Sequence, residues 1–326
     1  MKTNYIAIAT MNKIYANPVK VFIHTFKYNH PNIPVNVYIL DDYIPDQEIL
    51  TKYTDVKFIL FKASRTHNFI HNNFVEINKE SFDGNIYSTD SIIMMFAYLE
   101  AIDELISSGK YDVIIKSDLD TLWCDNMYTD IEKFVKSNLP IAMSREVINE
   151  QHFIFGNDRL HYQHVDAGGY FCAGVMLFNA HLLVTSVLET VIHTMYRYGV
   201  SKFIYLDQDA LVLSYKNKYV LNGVYNFTSP PILRVNEVYC IHYNNYAKPF
   251  GIIGERITDN IRLFSTYTLY REIAEVANCD KEFIALLEDN LLKLRVLIDF
   301  KYNNSSLFRI LSNKCSKMIK LSDKSQ

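Results

Sequence analysis

The chain has 326 residues, a formal net charge of −3 and a hydrophobic content of 49%. A chain of this length and apolar content can bury a large core, which excludes an intrinsically disordered protein, and its charge gives it no overall attraction to nucleic acid. Its five cysteines are widely scattered and form no C-x-x-C pair, which argues against a zinc ribbon or a disulfide-stapled scaffold and favours a reducing compartment, the cytoplasm.

The first apolar run, residues 5–9, has the length of a β-strand and is too short for a signal peptide or a membrane span. Asn17 is a favourable N-cap and Pro18 a favourable first helical residue, so a helix is predicted from Pro18. No other stretch reaches the length of a membrane span without charge. The sequence therefore predicts a soluble protein.

Apolar runs and helical patterns alternate over the first 116 residues. Further strands are predicted at residues 35–42, 56–62 and 111–116, and a long helix from Ser88 to Ser107. This alternation predicts an α/β fold in which helices flank a mixed, mostly parallel sheet. Ligands of such sheets bind beyond the carboxyl ends of the strands.

Two acids, Asp118 and Asp120, come directly after the fourth predicted strand. In extended backbone they point to one side and Leu119 to the other. Adjacent carboxylates repel each other unless a cation lies between them, and oxygen ligands suit Mg²⁺ or Mn²⁺, whose coordination is often completed by substrate phosphates. The pattern indicates a metal–diphosphate site; the alternative is a pair of surface acids that cap a turn.

The second half of the chain is less regular. An apolar strand is predicted at residues 170–179 and a helix at residues 181–198. Residues 205–215 place an acid–amide–acid triplet before another apolar helix, and residues 238–250 form a strand that runs into a loop.

From about residue 258 the pattern is helical and increasingly basic, which predicts two domains, residues 1–255 and a helical, basic C-terminal extension of residues 256–326. This extension could lie on an anionic membrane surface, or, up to residue 300, pack on the larger domain with a solvated basic face. Basic residues gather near its C-terminus, at Lys293, Arg295, Lys301, Arg309, Lys314, Lys317, Lys320 and Lys324.

Four segments of the chain, in order, read SDLD, FCAGVMLFN, LDQDALV and IHYNNYAKPF. Together they resemble the motifs of the family 8 glycosyltransferases of the GT-A fold, over roughly residues 1–250. The resemblance implies a Rossmann-like GT-A domain and an enzyme that moves a hexose from a nucleotide sugar to a hydroxyl of a glycan or glycolipid acceptor. It implies Mn²⁺ or Mg²⁺ as the cofactor, UDP-glucose or UDP-galactose as the donor, and retention of the anomeric configuration.

The same resemblance implies that Asp118, Asp120 and His242 bind the metal and that Lys248, in the motif H-x5-K-P, contacts the phosphates. The chemistry agrees, because imidazole and carboxylates accept Mn²⁺ readily and a lysine is a point-charge partner for phosphate. The alternative for His242 is a core histidine bonded to a backbone carbonyl.

The resemblance also implies the residues around the donor sugar. Ala173 and Gly174 would line its pocket, where small residues let the backbone approach closely. Asp207, Gln208 and Asp209 would lie under the anomeric carbon, with Gln208 and Asp209 as candidate catalytic groups. The alternative for the two acids is N-capping of the helix that follows.

The nucleotide is expected at the loop after the first strand, where the resemblance implies contacts from Ala9, Thr10, Asn12 and Tyr15. Leu119, between the two metal acids, belongs to the same predicted nucleotide site.

Three positions depart from the family pattern. Lys116 and Ser117 stand before the acids where the family usually has an aromatic residue, and Tyr98 stands where it usually has an arginine. A lysine before D-x-D is similar to the inverting fringe-like transferases, so an inverting GT-A enzyme is one alternative. A nucleotide-sugar-binding protein without catalysis and a purely structural α/β domain are the others.

Overall fold

The computed structural model of the chain describes residues 3–79, 87–146, 170–203, 205–226, 238–243, 248–251 and 261–297. Two compact units make up the chain. The first unit comprises Met1–Lys13, Pro34–Ser117 and Tyr128–Leu221. The second unit comprises Ile14–Ile33, Asp118–Met127 and Asn222–Gln326.

Strands and helices are numbered along the chain. The strands are β1 (Tyr5–Met11), β2 (Val35–Ile39), β3 (Val56–Leu60), β4 (Val113–Ser117), β5 (Thr121–Trp123), β6 (Ile141–Glu146), β7 (Tyr170–Asn179), β8 (Tyr219–Leu221), β9 (Val224–Asn226) and β10 (Cys240–His242). The α-helices are α1 (Pro18–Asn29), α2 (Gln47–Lys52), α3 (Ser64–Asn78), α4 (Thr89–Ser107), α5 (Tyr128–Ser137), α6 (Val187–Tyr198), α7 (Leu206–Ser214), α8 (Ile261–Val276) and α9 (Lys281–Leu297).

The first unit is built on one sheet, which in the described residues has the strand order β3-β2-β1-β4-β7-β6-β8. The pairs β3–β2, β2–β1, β1–β4 and β6–β8 are parallel, whereas β7 is antiparallel to both β4 and β6. The prediction of a mixed, mostly parallel sheet with flanking helices is therefore confirmed.

Helices α3, α4, α6 and α7 pack on this sheet through one apolar cluster. Strands β1 and β4 are buried along almost their whole length. Alternate residues of a strand point to one face, so β1 contributes Ile6 and Ile8 to this cluster. Fully buried members include Ile6, Ile114, Phe178, Phe96 and Leu211.

The second unit contains a small sheet with the order β5-β10-β9. Strand β10 lies between the other two, antiparallel to β5 and parallel to β9. Helices α8 and α9 cover this sheet through a buried cluster that joins Leu122 and Ile241 to Tyr270 and Leu287. Helices predicted for the C-terminal extension thus share a core with strand residues on the other side of the predicted boundary at residue 255.

Several predicted boundaries were wrong. Strand β1 continues to Met11 because its parallel ladder with β2 continues to that residue, so Ala9 and Thr10 lie in the strand and not in the loop after it. The predicted helix at residues 181–198 begins at Val187, where the Ser186 hydroxyl accepts the N–H of Glu189.

Asn17 precedes α1 as predicted, but its side chain does not cap that helix. Its amide oxygen accepts the N–H of Asp280 (3.0 Å) and its amide nitrogen donates to the Asp280 carboxylate (3.1 Å). Asn17 therefore joins the start of α1 to the start of α9.

None of the helices in the described part of the chain is long and apolar enough to cross a membrane. The basic residues predicted for membrane contact at positions 301–326 lie outside the described residues.

A buried neutral histidine sits in the second unit. The ring of His30 stacks on Phe26 and meets Trp123 edge-on. Its Nδ1 donates to the Phe26 carbonyl (3.1 Å) while its Nε2 accepts the N–H of Met127 (3.0 Å), so both ring nitrogens are satisfied in the neutral form. Burial lowers the pKa of His30 from 6.5 to about 4.

This pKa predicts a pH-dependent stability. The unfolded chain takes up a proton at His30 near pH 6.5 and the folded chain only near pH 4, so stability is lost as the pH falls from 6.5 towards 4. Urea unfolding should show that the free energy of unfolding of the wild type decreases between pH 7 and pH 4.5. In His30→Gln this decrease should be smaller by roughly 2–3 kcal/mol.

His71→Gln is the control, because the His71 side chain in α3 is already exposed in the folded chain. It should leave the loss unchanged. An equal pH dependence in His30→Gln and wild type would contradict the assignment of a buried neutral ring.

Candidate functional site

The two acids of the D-x-D motif come directly after β4, but their backbone is bent and not extended as predicted. The Thr121 hydroxyl donates to the carbonyl of Asp118 (2.7 Å) and closes the bend. Asp120 is buried at 3% exposure, whereas the Asp118 side chain is 41% exposed. Leu119, between the two acids, is buried at 3% exposure.

His242 reaches both acids because of the strand register in the second unit. Strand β10 pairs with β5 so that His242 lies opposite Thr121, next to Asp120, and the N–H of Tyr243 donates to the Asp120 carbonyl (2.9 Å). Nε2 of His242 lies 3.5 Å from an Asp118 carboxylate oxygen and 3.4 Å from an Asp120 oxygen. One ligand atom from each residue lies within 4.8 Å of the other two.

The buried side chain of Asn226 fixes the protonation of this imidazole. Strand β9 places Asn226 beside His242, and the Asn226 amide oxygen lies 2.8 Å from Nδ1. Because an amide oxygen only accepts, Nδ1 carries the proton. Nε2 then points its lone pair at the two carboxylates.

This donor set fits a divalent cation. One Asp120 oxygen, Oδ1, is buried and has no hydrogen-bond partner among the described residues, although a buried carboxylate oxygen without a partner is costly. A lone pair on Nε2 cannot satisfy it, since both atoms are acceptors. A hard or borderline cation bound by two carboxylates and one imidazole satisfies all three groups.

Lys248 supplies a positive charge at the same place. Its ammonium lies 2.7 Å from Oδ2 of Asp120 and 3.2 Å from the hydroxyl of Tyr15, whose ring packs edge-on against Phe250. Burial acts to raise the pKa of Asp120, but the ammonium of Lys248 outweighs it and holds that pKa well below its ordinary value. Burial acts to lower the pKa of Lys248, and the Asp120 carboxylate raises it above its ordinary value. The pair is therefore ionised at neutral pH.

The predicted sugar-binding residues belong to the first unit. The N–H of Ala173, in β7, donates to Oε1 of Gln208 (2.9 Å), and Gly174 beside it is buried. The hydroxyl of Tyr98, in α4, donates to the Asp207 carboxylate (2.7 Å).

Asp209 is not the N-cap of α7, because that position is Tyr205 and no side chain caps the helix there. Its carboxylate accepts the N–H of Tyr205 (2.9 Å), the residue that precedes α7. The next residue, Leu206, has a left-handed φ of 34°, a strained conformation for a branched side chain of a kind that tends to occur at functional sites.

The predicted nucleotide contacts divide between the units. Ala9, Thr10 and Asn12 belong to the first unit, at the end of β1 and directly after it, while Tyr15 belongs to the second unit together with the three candidate ligands and Lys248. Within the second unit the structure brings Tyr15 into contact with Lys248.

Some residues at these clusters were missed or given no role by the sequence reasoning. Asn226 has no motif of its own, and its contact with His242 follows only from the β9–β10 register. Lys116 was noted as a departure from the family pattern but was given no role, and its position within an apolar strand was a second signal for it. Tyr87 was also missed; burial, followed by the charges of Asp209 and Asp207, raises the pKa of its phenol.

The sequence matches the family model described as glycosyl transferase family 8 over residues 6–252. No curated protein is similar enough in sequence to count as a relative.

Several solved glycosyltransferases have a similar fold. The galactosyltransferase LgtC, solved with donor and acceptor sugar analogues, has a TM-score of 0.60 at 16% identity, covering 86% of this chain and 99% of LgtC. GlyE of Streptococcus pneumoniae TIGR4 has a TM-score of 0.51 at 15% identity, covering 90% of this chain and 64% of GlyE. The bifunctional glycosyltransferase WbbM has a TM-score of 0.50 at 14% identity, covering 96% of this chain and 52% of WbbM. These likenesses show that the chain has the GT-A fold.

The contact between Asn226 and His242 predicts the ion affinity. Asn226→Ala removes the acceptor that holds the proton on Nδ1, so the affinity for Mn²⁺, measured by calorimetric titration, should fall about tenfold. Asn226→Asp keeps an acceptor and should keep the affinity.

The control is Asn126→Ala, at an exposed asparagine of the same unit, which should bind Mn²⁺ like the wild type. Unchanged Mn²⁺ affinity in Asn226→Ala would show that His242 does not bind the ion through Nε2.

Proposed function

The chain belongs to glycosyl transferase family 8 and is a glycosyltransferase, and from this premise we propose that it is a metal-dependent, retaining hexosyltransferase. Its proposed donor is UDP-glucose or UDP-galactose, and its proposed acceptor is a hydroxyl of a glycan or glycolipid. The observation that carries the proposal is the convergence of Asp118, Asp120 and His242, with Lys248 bonded to the same buried carboxylate.

These four side chains suit a diphosphate leaving group. Asp118, Asp120 and His242 would hold Mn²⁺ or Mg²⁺, which when bound neutralises charge that develops on the departing diphosphate. The ammonium of Lys248 is already held in place by Asp120. It would therefore contact the diphosphate without having to move. Tyr15, bonded to Lys248, keeps that ammonium in place and offers an aromatic surface for the nucleotide.

Ala9, Thr10 and Asn12 of the first unit are proposed as nucleotide contacts. Leu119 of the second unit is proposed as a nucleotide contact through its backbone. Ala173 and Gly174 would form the backbone wall beside the sugar.

The triplet in α7 would hold the sugar hydroxyls. The Ala173 N–H fixes the orientation of the Gln208 amide, and the Tyr98 hydroxyl fixes one oxygen of Asp207. One oxygen of Asp209 is held in the same way, by the N–H of Tyr205, so all three residues are proposed as groups that meet the donor. Retention is proposed from the family membership, without assignment of a nucleophile.

Asp118→Asn tests the proposal with little risk to the fold, because the Asp118 side chain is 41% exposed. Without an acceptor, slow Mn²⁺-dependent release of UDP from UDP-glucose or UDP-galactose reports donor activation. Loss of one metal carboxylate should reduce this release at least about 100-fold, the cost of losing one well-placed electrostatic group.

Asp125→Asn, at a nearby acid outside the cluster, is the matched control and should keep wild-type activity. Full activity of Asp118→Asn at saturating Mn²⁺ would sink the site assignment. If the wild type binds UDP and Mn²⁺ but releases no UDP from a donor, a nucleotide-sugar-binding protein without catalysis becomes the better description.

A further inference from the structure

Lys116 is a buried cation in the first unit. It lies in β4 among apolar neighbours and is 3% exposed. A buried ammonium is costly unless it is paired or hydrogen-bonded, so its contacts indicate what keeps it in the core. Its Nζ donates to the carbonyl of Ala173 (2.6 Å) and lies 4.5 Å from the ring centre of Tyr98.

Both contacts of Lys116 lead to the same pair of residues in α7. Ala173 accepts from Lys116 with its carbonyl and donates its N–H to Gln208 (2.9 Å). Tyr98 faces Lys116 with its ring and donates its hydroxyl to Asp207 (2.7 Å). The ammonium of Lys116 is therefore connected to Gln208 through Ala173 and to Asp207 through Tyr98.

These contacts have a physical consequence for the pair. A cation over an aromatic ring is attracted to it and draws electron density from the phenol, which strengthens the Tyr98 hydroxyl as a donor to Asp207. The bond to the Ala173 carbonyl fixes the peptide whose neighbouring N–H holds Gln208. Loss of the ammonium would leave a buried carbonyl unsatisfied and release both restraints.

We infer that Lys116 is a positioning residue for the donor sugar, which sets the geometry of Asp207 and Gln208 through Tyr98 and Ala173. This inference rests on the proposed function, since it concerns the sugar half of the same donor. The inference predicts that loss of Lys116 affects the sugar and its transfer, while binding of the nucleotide diphosphate, for which other residues are proposed, is unaffected.

Lys27 shows what a merely structural buried lysine looks like. It is 6% exposed, and its Nζ donates to the carbonyls of Pro31 and Ile33, both at 2.9 Å. These bonds close the turn after α1 and touch no proposed site residue. Lys27→Met is therefore a matched control for Lys116→Met: each removes one buried ammonium.

The experiment compares Lys116→Met, Lys116→Arg, Tyr98→Phe and Lys27→Met with the wild type. The probes are UDP with Mn²⁺, for binding by calorimetry, and UDP-glucose and UDP-galactose with Mn²⁺, for binding and for UDP release. Lys116→Met should bind UDP within twofold of the wild type and lose about 10–100-fold in kcat for UDP release, the cost of a small misplacement of reacting groups. Lys116→Arg, which keeps the charge, should recover part of that loss.

Tyr98→Phe keeps the ring over the ammonium but removes the hydroxyl bonded to Asp207, and it should lose about tenfold in kcat with UDP affinity unchanged. If Lys116→Met does not fold, the kcat of Tyr98→Phe tests the inference in its place. Lys27→Met should lower the urea midpoint and leave kcat within twofold of the wild type.

Wild-type kcat in folded Lys116→Met, or in Tyr98→Phe, would overturn the inference, as would an equal loss of UDP and UDP-sugar affinity in Lys116→Met. Failure of the wild type itself to bind UDP with Mn²⁺ would instead overturn the proposed function, and the Lys116 inference with it. The two failures are distinguishable because one appears in the variants and the other in the wild type.

Discussion

Two carboxylates and an imidazole lone pair converge in the second unit, and the proposed function depends on a cation that these three groups could hold. Asp118 and Asp120 bring two negative charges, and Lys248 returns one positive charge to the buried acid. His242 contributes no charge in the neutral form that Asn226 holds. A carboxylate oxygen of Asp120 is still left without a partner among the described residues. A bound divalent ion would offset the one negative charge that Lys248 leaves and would accept the lone pairs of the carboxylates and the imidazole.

The small sheet of the second unit provides this arrangement, and helices α8 and α9 pack against that sheet. Residues from β5, β10 and β9 lie in register, so Thr121, His242 and Asn226 form one row across the sheet. The ring of Tyr243, directly after the ligand His242, meets the rings of Tyr267 and Tyr270 in α8. Helix α8 thus packs against Tyr243, the residue that follows the proposed ligand His242.

The sequence predicted the features that follow from the order of its strands, helices and motifs. It did not predict contacts that depend on how distant strands pair. The alternation of strands and helices predicted the sheet, and the resemblance to the family 8 glycosyltransferases predicted that Asp118, Asp120 and His242 meet. The β9–β10 register arises from pairing between distant segments, so the role of Asn226 could not be predicted. The bend at the two acids is closed by a local bond from Thr121 to Asp118 that the strand pattern did not indicate. Asn17 was assigned by local capping preference, but its side chain bonds Asp280, a tertiary contact that propensity does not encode.

The most direct measurement is X-ray diffraction at the manganese absorption edge, from crystals of the full chain grown with MnCl₂ and UDP. If the central claim is right, one anomalous peak lies within about 2.5 Å of a carboxylate oxygen of Asp118, an oxygen of Asp120 and Nε2 of His242, as expected for a bound divalent ion. A nucleotide bound with no anomalous peak among these three side chains, or a peak that His242 does not reach, would contradict it.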